Sequence, residues 1–256
     1  MGEKKKKLQT FLKSHPNCCF CGNASATTRD HVPPSAMFFD KKGPEGWVFP
    51  GCGDCNNGSS NEDRIFSIFA LMFGVQNHDE LPGTDMQRIM RSVLNGAPRE
   101  LQTRIERFLS GENIPSEDYP RFELADSDKR ACHLVARKIA KAIYYRERSK
   151  SLPKEAVLST HWIPNGHWDK KTIGSLSKFI SSMQAPTIEN NNLVVAGKQF
   201  IFSIDDVDEY ISICFQIHTA AIYYCLISPS GKVSLSNPAF SDWYDMKDNA
   251  IAQEPT

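Results

Sequence analysis

The chain has 256 residues, 40% of them hydrophobic, and 30 basic against 30 acidic side chains, so its formal net charge is zero. That length and apolar content support one large or two small folded domains and exclude a disordered chain, while neutrality excludes a protein that coats nucleic acid by bulk charge. No apolar stretch approaches the ~18 residues that would span a bilayer, so no membrane is expected, and without a signal peptide the eight cysteines are expected to stay reduced in the cytoplasm.

Lys4 to Lys13 reads as a short basic helix with Leu8, Phe11 and Leu12 on one side. A stretch rich in Gly, Pro and Asn follows, within which Trp47-Val48-Phe49 reads as a short strand. Asn61 is the expected N-cap of a helix whose first turn carries Glu62 and Asp63 and whose body is the apolar run from Ile65 to Phe73. Thr84 is placed to cap a second helix, with Met86, Ile89, Met90, Val93 and Leu94 apolar and Gly96 as its stop. Pro98 starts a third, with Leu101, Ile105, Phe108 and Leu109 on one face and Gly111 as its stop.

After a loop over residues 112–124, a long helix is expected from about Ser127 to Arg148. Its apolar stripe is Cys132, Val135, Ile139, Ala142 and Ile143, with Arg137, Lys138 and Lys141 largely on the other side. The pattern then turns to alternation: Phe200, Phe202 and Ile204, then Ile211, Ile213, Phe215 and Ile217. The nearly continuous apolar run from Ala220 to Ile227 suits a strand covered on both faces, and Pro229-Ser230-Gly231 is a turn signal before Val233 and Leu235. Short links between these strands predict an antiparallel meander. Charge is uneven along the chain, with a basic stretch from Ser127 to Lys150 and an acidic one from Ile201 to Thr256.

The chemistry concentrates near the N-terminus. Cys18 and Cys21 form one Cys-x-x-Cys pair, Cys52 and Cys55 a second, and Asp30-His31 lies between them. Each pair turns two thiolates toward one point, and two pairs complete a tetrahedral Zn2+ shell. Cys19 is expected to be a bystander, and Cys132, Cys214 and Cys225 to pack as small apolar groups. An imidazole beside a carboxylate suits proton abstraction next to a metal ion, or, more simply, stabilises a loop in a zinc ribbon. A four-thiolate zinc has no open position, so any catalysis needs a second metal site.

The run Cys18-Cys19-Phe20-Cys21, then Thr28-Arg29-Asp30-His31-Val32-Pro33-Pro34, then Cys52-Gly53-Asp54-Cys55-Asn56 resembles the HNH endonucleases, the ββα-metal or His-Me finger nucleases. The resemblance covers roughly Asn17 to Phe73. It implies a zinc-supported ββα-metal finger over residues 1–75; with the helical and strand patterns read above for residues 76–256, the expected class is α+β, a finger followed by a helical region and a small antiparallel C-terminal sheet. It further implies that Asp30 and Asn56 hold one catalytic divalent cation, Mg2+ or Mn2+, and that His31 is the general base that activates water. Asn57, Ser60 and Asn61 fall within helical reach of Asn56, which has the family position. The family's middle Asn, which braces the loop carrying the base, has no counterpart between His31 and Asn56.

The implied activity is metal-dependent hydrolysis of phosphodiester bonds in DNA. Arg29, Arg137, Lys138 and Lys141 are the expected nucleic-acid contacts, the last three along a basic helix whose plainer role is a solvated face. The alternatives are a non-catalytic nucleic-acid-binding zinc module, or a toxin or defence effector whose C-terminal region gates the finger. His161-Trp162 and His167-Trp168 are a weaker candidate for a metal or stacking site.

Overall fold

The cysteine-bounded stretch folds into a hairpin because its two apolar-flanked segments can pair: β1 (Thr28–His31) lies antiparallel to β2 (Val48–Gly51), with Asp30 opposite Phe49 and His31 opposite Val48. Before it comes α1 (Glu3–Ser14), an exposed lysine-rich helix that packs beside β1. After it come the short α2 (Gly53–Asn57) and the apolar α3 (Ser60–Gly74). This computed structural model describes residues 2–74, 88, 91–92, 94–110, 122, 124–164, 193–195, 199–207, 209–218, 221–232 and 244–246.

Helix α3 starts one residue before the expected cap Asn61, which is exposed inside it. Ser59 takes the capping place, its carbonyl accepting the Asp63 N–H at 2.8 Å. Helix α4 (Arg99–Ser110) follows Pro98 as predicted, burying Leu101 and Ile105. Of the helix expected before it, Leu94 is helical and a turn follows at Gly96, while Thr84 lies outside the described residues, as do Gly111, His167, Trp168, Val233 and Leu235.

The long helix α5 (Asp126–Arg148) departs most from expectation. Its predicted stripe is buried, but so are Arg137, Lys138 and Lys141, at 2%, 7% and 6% exposure. The expected outward basic face is therefore absent, and these three side chains cannot lie along a phosphate backbone. The reason is that α5 is central: α3 packs on it, and so do strands of the C-terminal sheet. A helix covered from several directions buries its polar positions too, provided each charge finds a partner.

That sheet has the order β4-β5-β6-β7-β3-β8, from Leu193–Val195 (β4), Phe200–Val207 (β5), Tyr210–Ile217 (β6), Ala221–Ser228 (β7), Val157–Pro164 (β3) and Tyr244–Met246 (β8), every pairing being antiparallel. The meander of β5, β6 and β7 is as predicted. Strand β3, which precedes them in sequence, adds to the far side of β7, a long-range pairing that the meander rule does not supply.

The core is continuous from Cys18 to Ile227, so residues on either side of position 75 share it. Trp47, 1% exposed, joins hairpin to sheet, with its ring 5.1 Å from Phe200 and 5.2 Å from Phe202, both edge-to-face. Two polar ties add to this: Phe39 N–H donates to Gln199 Oε1 at 3.0 Å, and His218 Nε2 lies 2.8 Å from the Met37 carbonyl.

Candidate functional site

Each Cys-x-x-Cys segment is shaped by its own backbone. In the first, Gly22 adopts φ +67°, a left-handed conformation that favours glycine, and its N–H donates to the Cys18 carbonyl at 2.9 Å. In the second, Cys55 N–H donates to Cys52 Sγ at 3.4 Å as the chain enters α2. The outcome is four sulfurs, of Cys18, Cys21, Cys52 and Cys55, all within 4.8 Å of one another. Sulfurs of a tetrahedral zinc shell with ~2.3 Å bonds lie roughly 3.8 Å apart, so this cluster can hold a metal such as zinc.

Hydrogen bonding from the Cys55 thiol outweighs burial and lowers the Cys18 pKa to about 4, which favours the thiolate a metal needs; the same bond raises Cys55. Cys19 is buried outside the four-sulfur group, and burial raises its pKa. Cys132, Cys214 and Cys225 are buried as expected, their thiols likewise pushed up by burial.

Alternation along β1 separates the next residues. Arg29 and His31 are exposed, whereas Asp30 is buried and Thr28 half-buried. Asp30 thus faces into the protein, where α2 brings Asn56 to it. One terminal atom of the Asn56 amide is 3.0 Å from Thr28 Oγ1, and the other is 3.3 and 3.2 Å from the two Asp30 oxygens. With its nitrogen toward Asp30, the amide donates to the carboxylate and accepts from Thr28. With its nitrogen toward Thr28, whose hydroxyl then donates to the Gly51 carbonyl at 3.0 Å, the amide oxygen faces the carboxylate. Two facing oxygens are unfavourable unless a cation lies between them. Neighbouring ligands in an octahedral Mg2+ shell with ~2.1 Å bonds are roughly 3 Å apart, so the Asp30–Asn56 spacing fits a small divalent ion.

The carboxylate has a further partner that local sequence patterns do not predict. Lys138 Nζ reaches it from α5, lying 2.8 Å from Asp30 Oδ2, 2.8 Å from Asp63 Oδ2 and 2.7 Å from Ser59 Oγ. The Phe20 ring of the first Cys-x-x-Cys segment is 5.7 Å from the same ammonium. Burial alone would lower the Lys138 pKa, but the two carboxylates more than offset it and the net shift is upward. For Asp30 burial dominates, and Lys138 offsets only part of it, so its carboxyl is raised. One ammonium shared by two carboxylates explains both directions: the lysine gains from two partners and Asp30 receives only a share.

Of the expected site residues, the structure brings the four cysteines together and Asp30 to Asn56, and leaves His31 and Arg29 at the surface. Asn57, Ser60 and Asn61 are exposed. Exposed cationic groups lie instead on α1, where Lys4, Lys5, Lys6 and Lys7 precede the hairpin; that lysine run was visible in the sequence. Trp162 stacks on Tyr223 at 5.8 Å, a packing role. Comparison of the chain with family models, with curated proteins and with solved structures gives no match.

Proposed function

We propose that the protein is a metal-dependent HNH-like endonuclease that hydrolyses phosphodiester bonds in DNA. The observation that carries this reading is the convergence of Asp30 and Asn56, residues 26 positions apart, at cation-ligand spacing beside an exposed histidine. The four cysteines bind a structural zinc that fixes the hairpin and α2, and hence these two side chains. Asp30 and Asn56 hold Mg2+ or Mn2+, which when bound supplies Lewis-acid stabilisation of charge on the phosphate and the leaving 3′ oxygen. His31 accepts the proton of the attacking water, and its exposure gives water and substrate access. Arg29, exposed on the same face of β1, and the lysines of α1 provide cationic surface for the backbone.

A second reading, a non-catalytic nucleic-acid-binding zinc module, draws support from one observation: Lys138 already occupies Asp30 Oδ2. Incubation with plasmid DNA and Mg2+ or Mn2+, beside an EDTA control and His31→Ala, separates the two. Cleavage that needs the metal and drops by about 10²–10⁴ in rate in His31→Ala supports the nuclease. Binding without cleavage, or normal cutting by His31→Ala, supports the module or excludes His31 as the base.

A further inference from the structure

The nuclease reading assigns no task to Lys138, yet its ammonium is buried and contacts two carboxylates and a hydroxyl. It is 7% exposed, and its three acceptors come from β1, the α2–α3 junction and α3, so all three N–H groups are engaged. A packing role alone does not call for this chemistry, because a methionine would fill the same path through the core without a desolvated charge. The ammonium sits on the same carboxylate that the divalent ion would use, and the balance of charge decides which species the site accepts. Asp30 and Asp63 carry two negative charges and Lys138 one positive, leaving one negative charge. A divalent ion reverses that sign in a site of low dielectric, which is unfavourable at such short range. A phosphodiester, with one negative charge, restores neutrality.

We infer that Lys138 is a built-in counter-cation that makes divalent-ion binding at Asp30 and Asn56 depend on the presence of a phosphodiester. Lys138 is then a positioning residue: it holds Asp30 Oδ2 and suppresses ion binding in the free protein, so that ion and nucleic acid bind cooperatively. The inference rests on the nuclease reading of the Asp30–Asn56 pair.

The test uses the zinc-loaded full chain carrying His31→Ala, which prevents turnover, with Mn2+ as the probe and a short DNA duplex as the phosphodiester. Mn2+ affinity is measured by calorimetry and by electron paramagnetic resonance, with and without the duplex. In this parent the duplex is expected to tighten Mn2+ binding by about tenfold or more, and by linkage Mn2+ should tighten the duplex by the same factor. Adding Lys138→Met should tighten Mn2+ binding about tenfold without DNA and reduce the effect of DNA to less than about threefold. Lys138→Met binding Mn2+ no more tightly than the parent overturns the inference while leaving the nuclease reading in place. No Mn2+ binding beyond the zinc site in either protein, with or without DNA, overturns both. If Lys138→Met loses its zinc or its circular dichroism, Asp63→Asn decides. It removes a negative charge and keeps the lysine, so DNA-free Mn2+ binding must weaken by about fivefold or more, and unchanged binding refutes the inference.

Discussion

Trp47→Ala is the sharpest test of how the hairpin and the C-terminal sheet depend on each other. The indole is 1% exposed and makes edge-to-face contacts with Phe49, Phe200 and Phe202 at centroid distances of 5.8, 5.1 and 5.2 Å. The Arg146 guanidinium lies 4.9 Å from its ring centroid. Truncating a buried tryptophan costs ~3–5 kcal/mol through lost transfer energy and the cavity left behind. Three aromatic pairs place this site at the upper end, about 5 kcal/mol, a third or more of the stability of an ordinary domain. Trp47→Phe should cost far less, about 1–2 kcal/mol, because the indole Nε1 is buried without a hydrogen-bond partner and its removal relieves a desolvation penalty. Urea unfolding should be followed by zinc release and by far-ultraviolet circular dichroism on the same samples. Since hairpin and sheet share one core, both signals should shift together to lower urea in a single transition. Release of zinc at low urea with the sheet signal intact, or a loss below about 2 kcal/mol for Trp47→Ala, would refute the reasoning.

Protein purified without added metal should carry close to stoichiometric zinc by elemental analysis, and Cys52→Ser should lose both the metal and the folded hairpin, because binding and folding are coupled in such modules. Asn56→Ala should weaken Mn2+ activation of cleavage yet keep the melting temperature within a few degrees of wild type. Asp30→Ala should do both harms, losing the metal response and about 3 kcal/mol or more of stability, since it strips one carboxylate from a buried ammonium. The upward shift of Lys138 fixes the sign of a pH effect. Its stabilising contribution is fully present below the ordinary lysine pKa of ~10.4 and is lost as pH rises through the higher folded-state value, so the alkaline fall in stability should be shallower in Lys138→Met.

What the sequence disclosed and what it concealed divide along a physical line. The four cysteines were legible because a knuckle is a local object: spacing and a turn glycine are enough to aim two sulfurs. Asn56 was legible as a partner of Asp30 only through the order of motifs, since nothing local brings α2 against β1. Lys138 was misread for a specific reason. Helical periodicity assigns a residue to a face, and calling that face exposed assumes that a single side of the helix is covered. Along the middle of α5, from Val135 to Tyr144, every residue is buried, and the carboxylates that make a buried lysine tolerable sit 75 and 108 positions earlier in the chain. Trp47 was expected to open a strand but lies one residue before β2, and its role in joining hairpin to sheet depends on Phe200 and Phe202, which no local pattern links to it. The pairing of β3 with β7 was hidden in the same way.

The distance along the chain between Trp47 and its partners Phe200 and Phe202 has a consequence during synthesis. A ribosome adding ~5–20 residues per second needs roughly 8–30 s to make the segment between them. Throughout that time the nascent hairpin has its cysteines in place but lacks the sheet against which Trp47 closes. A newborn chain of that length lacks the Phe200 and Phe202 contacts of Trp47, which exposes the indole to chaperone capture. Supplying zinc early should stiffen the emerging N-terminal part without hiding that indole. Chains stalled before Phe200 should consequently be far more prone to aggregate than released full-length protein, however much zinc is present.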